Sequence, residues 1–509
     1  MHRSEQSSIT PESGIRFLLD GEEVRVSRVS PQTTVLEFLR EHLHRTGTKE
    51  GCAEGDCGAC TVVLAEPGED GGLAWRPVNA CIRLLPTIDG KALFTVENLK
   101  AADGSLHPVQ QALVTCHASQ CGFCTPGFVM SLFGLYKNSY RPDRAVIDDA
   151  LSGNLCRCTG YRPIIAAAQC MHELPPATGW RAPGIDARGR RVVSEEERAL
   201  ADKLVGLRRD AMRSYEHAGQ HYFAPATSDE LATVCLEHPD ARLVAGATDV
   251  GLWVTKQHRD LGTVIYTGSV RELLATRTTA THLEIGAAVS LTEAFALIDC
   301  DYPMLAEVWS RFASIPIRNS ATVGGNIANG SPIGDSMPVL IALGATLVLR
   351  RGNTRRELAL EEFYFAYQKT ALEAGEFVET IRVPRVDARL AVRAYKLSKR
   401  FDQDISAVFA CFALWREGAR VKAIRIGCGG MAAVPKRARH CEQSLAGECW
   451  GAAAIVRAQD AFDADFEPLT DMRASAAYRR RALKNLLQRF YLETASPDLK
   501  TRAVEYAMR

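Results

Sequence analysis

Apolar and polar positions alternate along residues 14–26, GIRFLLDGEEVRV, in a way that predicts two short strands joined at Asp20-Gly21, a favoured hairpin turn. The period then lengthens. Val35, Leu39 and Leu43 recur every fourth residue behind a Thr34/Glu37 capping pair, which predicts a helix. A glycine-rich loop follows, KEGCAEGDCGAC, running into the apolar strand TVVLAE. Residues 107–170 read as helices: His107 to Val114, a second opened by Thr125 as cap and Pro126 at the first helical position, Asp143 to Leu151, and a fourth opened by Pro163. Residues 171–218 have linker composition with one surface helix, and the Arg479-Arg480-Arg481 run reads as a solvated helix face. From Tyr222 onward strands and helices alternate. ARLVAGATDV is a strand entering a turn, and FASIPIRNSATVGGNIANGSPIGDSMPVL is a long loop followed by an apolar helix.

At 509 residues the chain is too long for one core, so two to four domains are expected. With 46% apolar and 24% charged residues it has the profile of a globular protein. A net charge of +1 gives no argument for nucleic acid or an anionic membrane as partner. No apolar run reaches the ~20 residues that cross a bilayer. The first residues, MHRSEQSSITPESG, lack the apolar segment of a secretory signal, which predicts a cytoplasmic chain.

Sixteen cysteines in such a compartment point to metal or redox chemistry. Ten of them fall between Cys52 and Cys170. Cys52, Cys57 and Cys60 are spaced C-x4-C-x2-C, with Cys81 twenty residues on, the plant-type ferredoxin arrangement for a [2Fe–2S] cluster. Gly51, Gly55 and Gly58 let the loop wrap closely and aim N–H groups at an anionic cluster. Zinc, which usually takes two close C-x2-C pairs, and structural thiols are the alternatives. A second set, Cys121 and Cys124 in QCGFCTPG with Cys156 and Cys158 in NLCRCTGYRP, forms two pairs near helix N-termini, where anionic sulfur is favoured. On spacing alone a zinc site remains open here. Cys116 reads as a small buried residue.

Gly246, Gly324 and Gly325, with Thr248, Thr322 and Asn326, suit a pyrophosphate, although ordinary turns would use the same glycines. No G-x-G-x-x-G follows a strand, so a Rossmann site is not supported, and Gly427-Cys428-Gly429-Gly430 is a decoy.

The paired stretches GCAEGDCGAC and QCGFCTPG…NLCRCTGYRP resemble the iron–sulfur domains of the xanthine oxidoreductase and aldehyde oxidase family of molybdenum hydroxylases. LVAGATDV and ATVGGNIANGSPIGD are similar to the two FAD-binding loops of that family. The resemblance covers nearly the whole chain and implies an α+β multidomain protein. Its expected parts are a plant-type ferredoxin-like β-grasp domain over 13–97, a four-helix [2Fe–2S] domain over 98–175, and a linker over 176–217. A vanillyl-alcohol-oxidase-like α+β FAD domain over 218–390 and a small α+β flavoprotein C-terminal domain over 391–500 complete it.

By that resemblance Cys52, Cys57, Cys60 and Cys81 hold one [2Fe–2S] cluster and Cys121, Cys124, Cys156 and Cys158 the other. Leu243, Val244, Ala245, Gly246, Ala247, Thr248, Asp249 and Val250 lie along the FAD pyrophosphate, with Phe312, Thr322, Gly325, Asn326 and Asp335 completing the pocket. Val378 and Lys396 lie beside the isoalloxazine, and 397–407 is a loop controlling access to the flavin. No residue of this chain is expected to be catalytic on the substrate. The chain ends with no room for a molybdopterin domain, so it resembles the small chain of the xanthine dehydrogenases. The resemblance implies a molybdopterin-binding large partner, a dimer of heterodimers, and electron flow from hypoxanthine or xanthine through both clusters and FAD to NAD+. An equivalent chain of an aldehyde or N-heterocycle hydroxylase, and a non-catalytic redox carrier or sensor, are the rival readings.

Overall fold

In the computed structural model residues 14–496, 498, 499 and 501 are described. The polar N-terminal stretch in which no secretory signal is read lies outside them up to residue 13. The chain divides into two units, Met1–Arg271 with Ser314–Ala321, and Glu272–Ala313 with Thr322–Arg509. The expected flavin region, 218–390, is thereby shared between them.

In the first unit Ile15–Leu19 (β1) and Glu22–Val26 (β2) form the expected hairpin. Asp20 and Gly21 both take positive φ, 54° and 95°, which matches the twist of a tight hairpin. With Thr61–Pro67 (β3), Leu73–Asn79 (β4) and Ala92–Phe94 (β5) they make a five-stranded sheet ordered β2-β1-β5-β3-β4. The capping box at Thr34 and Glu37 is present, but its helix, Val35–Glu37, passes directly into a π-helix, Phe38–His42.

Alternation along each strand gives this sheet two buried faces. Ile15, Phe17, Val62 and Leu64 pack under the short helix. Leu18, Val63, Ala65 and Trp75 face the other way, into a core made with the following helices. Those are Pro108–Thr115, Thr125–Asn138, Arg144–Leu151 and Arg162–Cys170. The second begins one residue earlier than expected: Cys124 is its cap and Thr125 its first residue.

The linker is not loosely tethered. Its helix, Glu195–Leu207, buries Leu200, Ala201, Leu204 and Leu207 in the same core. Glu197 is fully buried there and binds Lys137 Nζ at 2.9 Å, the Leu73 N–H at 3.0 Å and Arg191. A composition count registers Glu197 as surface charge, whereas its partners, 60 residues or more away in two of the three cases, make its burial tolerable. The first unit also holds a four-stranded sheet, ordered Arg213–His217, Gln220–Ala224, Thr263–Tyr266, Arg242–Val244.

The second unit contains an antiparallel five-stranded sheet in which Phe377–Pro384 lies between His282–Gly286 and Thr346–Arg351. It also contains a four-stranded antiparallel sheet built on Leu390–Leu397, Val408–Glu417 and Arg420–Gly429. Two expectations change here. Arg479 is not solvated: it is 2% exposed and donates to the carbonyls of Ala407 and Gly430, while Asp471 pairs with it at 2.7 Å. Arg480 and Arg481 remain exposed. The glycine run at 427–430 is explained by packing, since a Cβ on Gly427 would lie 2.0 Å from the Pro338 carbonyl oxygen. Among the described residues no helix is long and apolar enough to cross a membrane.

Candidate metal centres and flavin-binding loops

The loop between the π-helix and β3 wraps around its own sulfurs. Cys52 Sγ accepts from the backbone N–H groups of Cys57 and Asp56 at 3.3 Å and of Glu54 at 3.5 Å. Cys60, at the start of β3, and Cys81, after β4, are 1% and 2% exposed. The four thiols share protons. Hydrogen bonds from Cys57 and Cys81 pull Cys52 down from the ordinary thiol range, and the Cys81 thiol does the same for Cys60. The same contacts push Cys57 and Cys81 up. Gly58 has φ +68°, and a Cβ there would meet the Gly153 carbonyl oxygen at 2.2 Å, so only glycine lets this loop sit where it does.

The second set assembles from two separate turns. Cys121 and Cys124 lead into Thr125–Asn138, and Cys156 and Cys158 precede Arg162–Cys170. Cys158 Sγ lies 3.6 Å from Cys121 Sγ. A hydrogen bond joins Cys124 to Cys156, and Thr159 Oγ1 donates to Cys156 Sγ at 3.2 Å. Burial, then Cys156, raises Cys124 to about 12. The Phe123 N–H, then Cys158, lowers Cys121. Cys121 and Cys158 are exposed, in contrast to the first set.

Both sets thus meet the chemical requirement of thiolates brought together in pairs, with N–H and O–H groups already aimed at the sulfurs. Among the described residues no three or more His, Cys, Asp or Glu side chains are grouped as a site for a metal ion. Cys116, read as a small buried residue, is half-buried instead, and its Sγ lies 3.7 Å from Cys170 Sγ.

The flavin residues are divided between the two units. In the first unit, Leu243 and Val244 end a strand and Ala245 to Asp249 form the turn into the helix Val250–Thr255. Ala247 takes φ 60°, a left-handed residue within a run of amides, which is the geometry of an anion-binding concavity. Gly246 lies so close to Ser320 that a Cβ would be 2.0 Å from its carbonyl oxygen. The expected long loop holds two short helices, Ile315–Ser320 in the first unit and Val323–Asn329, capped by Thr322, in the second. Thr322 Oγ1 accepts from Gly325 N at 3.1 Å, and Ser336 donates to Asn326. Asp335 holds Lys396 Nζ at 2.6 Å and accepts from Ser406 Oγ at 2.6 Å. Phe312 packs edge-on against Phe295, and Val378 is a buried residue of Phe377–Pro384. Ser406 was not singled out from the sequence, because nothing in its neighbours distinguishes it from any loop serine.

Comparison with known proteins accounts for the order of these parts. Residues 17–84 match the 2Fe-2S iron-sulfur cluster binding domain family and 95–169 the [2Fe-2S] binding domain family. Residues 214–386 match the FAD binding domain in molybdopterin dehydrogenase, and 393–494 the CO dehydrogenase flavoprotein C-terminal domain. The chain is an iron–sulfur and FAD-binding member of the molybdenum hydroxylase family. This molybdenum hydroxylase chain is 32% identical to xanthine dehydrogenase of Emericella nidulans over 96% of its own length and 40% of that relative. It is 30% identical to xanthine dehydrogenase/oxidase of Gallus gallus over 86% of its length and 37% of that relative. It therefore spans about two-fifths of the curated relatives it matches. Among solved structures, a carbon monoxide dehydrogenase chain from Hydrogenophaga pseudoflava is 28% identical with a TM-score of 0.50, covering 53% of this chain and 94% of that one. A chain of quinoline 2-oxidoreductase from Pseudomonas putida 86 shares the fold at 24% identity, with a TM-score of 0.50, covering 54% of this chain and 97% of that one. The chain carries two [2Fe–2S]-binding domains and an FAD-binding domain, the composition of an electron-transfer chain.

Proposed function

We propose that this chain serves a xanthine dehydrogenase, carrying electrons from hypoxanthine or xanthine, oxidised at a molybdenum cofactor on a larger partner chain, to NAD+. The observation that carries this reading is the 32% identity to a xanthine dehydrogenase across 96% of the chain, with both iron–sulfur regions and the flavin region on one polypeptide. When bound, the clusters supply single-electron steps, and FAD exchanges single electrons for a hydride pair.

The residues of this chain hold and tune. Cys52, Cys57, Cys60 and Cys81 grip one di-iron unit, and the amides of Glu54, Asp56 and Cys57 spread its negative charge. Cys121, Cys124, Cys156 and Cys158 grip the other, which faces the partner chain. Leu243 to Val250 are the residues that would hold the pyrophosphate, and Thr322, Gly325 and Asn326 also belong to the FAD-binding set. Lys396, held by Asp335, and Val378 would lie beside the isoalloxazine, and Phe312 and Asp335 would complete the pocket. No side chain here acts as acid or base on the purine. The domain limits 13–97, 98–175, 218–390 and 391–500, with the linker at 176–217, belong to the same reading, as does a dimer of heterodimers. A cytoplasmic location belongs to the same reading.

The test is analysis of the purified chain, followed by copurification and substrate screening. Expected are about four iron atoms, about four labile sulfides and about one FAD, without zinc or molybdenum. With its partner the complex reduces NAD+ on hypoxanthine or xanthine. A second reading is favoured by the likeness to a carbon monoxide dehydrogenase chain: the chain serves another hydroxylase, for an aldehyde or N-heterocycle. Turnover of those substrates but not of purines would select it. Failure of NADH to bleach the flavin of the isolated chain would favour a carrier or sensor.

A further inference from the structure

The two cysteine quartets of the first unit are joined by one hydrogen bond. The backbone carbonyl of Cys57 accepts from the N–H of Leu155 at 3.0 Å, and Leu155 directly precedes Cys156. Electron tunnelling weakens steeply with distance and travels better through bonds than across gaps. A bonded route between the quartets runs from Cys57 through this contact to Leu155 and on to Cys156.

Asn154 guards that contact. Its Nδ2 donates to the Gly58 carbonyl oxygen at 3.1 Å, on the ferredoxin-like loop, and to Thr61 Oγ1 at 3.4 Å, where that loop enters β3. Its Oδ1 accepts from Ser131 Oγ at 2.7 Å, on the helix that follows Cys124. Thr61 Oγ1 itself donates to the same Gly58 carbonyl at 2.7 Å. Asn154, Ser131 and Thr61 are 3%, 2% and 1% exposed, so every one of these polar groups has given up water for its partner. Fully satisfied buried networks of this kind hold one geometry and tolerate little drift. Packing agrees: a Cβ on Gly127 would lie 2.1 Å from the Gly58 oxygen, so helix and loop approach as closely as glycine permits.

We propose that Asn154 is a positioning residue for electron transfer between the two iron–sulfur centres, clamping the Cys57–Leu155 contact through Gly58 on one side and Ser131 on the other. The inference rests on the reading that the quartets hold [2Fe–2S] clusters. It concerns how the clusters communicate, which their presence alone does not settle.

The test is electron paramagnetic resonance of the dithionite-reduced full chain, which reports each cluster's own signal and the magnetic splitting between them. The unaltered chain gives two signals that split one another. Asn154→Leu keeps both signals and the iron content but loses the splitting, and electrons redistribute between the clusters more slowly. Ser131→Ala, which frees only the far end of the clamp, moves the splitting the same way, and Ser131→Thr, which keeps the hydroxyl, restores it. A purely structural Asn154 would lower the unfolding temperature and leave the splitting untouched; that result overturns the proposal. If Asn154→Leu fails to retain iron, the Ser131 pair decides by the same criterion. Absence of two cluster signals from the unaltered chain overturns the cluster reading itself, and this inference with it.

Discussion

The two cysteine quartets lie in one unit of the molecule and differ most in their exposure. In the ferredoxin-like loop Cys60 and Cys81 are buried, and three backbone amides converge on Cys52. In the helical region Cys121 and Cys158 are exposed, and a side-chain hydroxyl, Thr159, serves Cys156. Backbone amides, which also reach Cys121 and Cys156, tune a sulfur through the fold, whereas the Thr159 hydroxyl adds a contribution that a single substitution removes. The lesson is that identical ligands can be given different potentials and different vulnerability by burial and hydrogen bonding.

The largest effect to test is loss of one centre at a time. Cys81→Ser should halve the bound iron, remove one cluster signal and destabilise the sheet, because Cys81 sits in the core under β1 and β3. Cys158→Ser should also halve the iron but leave the unfolding transition of the sheet nearly in place, since Cys158 packs against no core. Equal destabilisation by both would break the contrast. Iron analysis with thermal unfolding reads both outcomes.

Next comes the ion pair beneath the two regions. Lys137 and Glu197 are each 1% exposed, and Lys137 Nζ also donates to the carbonyls of Trp180 and Ala182. Burial, only partly offset by Glu197, lowers Lys137 to about 8. Lys137→Met leaves Glu197 with Arg191 alone for charge compensation and should cost about 3–5 kcal/mol in urea unfolding.

Smaller, and opposite in pH range, are the acid limbs of the two regions. His107 caps the helix Pro108–Thr115 through Nδ1, and burial, against the Arg181 carbonyl, lowers it from 6.5 to about 4. His172 is likewise lowered to about 4 by burial, then by Arg141. Between pH 6.5 and 4 the unfolded chain takes protons that these folded imidazoles refuse, so the helical region loses stability as pH falls through that window. On β3, burial pushes Glu66 up, but Lys91 and Arg76 outweigh it and hold the carboxyl at about 2, below its ordinary 4.5. The stability Glu66 contributes is present above 4.5 and fades as pH falls toward 2. Melting temperature against pH should show both limbs. His107→Asn should flatten the first and Glu66→Gln the second.

The smallest effect is on potential. Thr159→Val removes the hydroxyl from Cys156 Sγ, so the reduced, more negative centre loses a donor and its potential shifts downward. Redox titration followed by cluster absorbance measures it. Asn79→Leu, whose amide approaches Cys60 Sγ only at 3.9 Å, should move the other centre less.

Local chemistry was legible from the chain alone wherever neighbouring residues act together. The Asp20-Gly21 turn and the Thr34/Glu37 capping box follow from short-range spacing. The π-helix at 38–42, the two short helices within 315–329 and the shift of one residue at Thr125 did not follow, since backbone details of a turn or less are settled by packing.

What the sequence by itself determined is the order of modules, because the spacings and caps that mark them are written in adjacent residues. Only tertiary structure decided that Arg479 and Glu197 are buried, that Ser406 joins Asp335 and Lys396, and that Asn154 ties one quartet to the other. The reason is physical: a charged or polar side chain leaves water only when distant residues supply its hydrogen bonds, and no local pattern records where those partners will be.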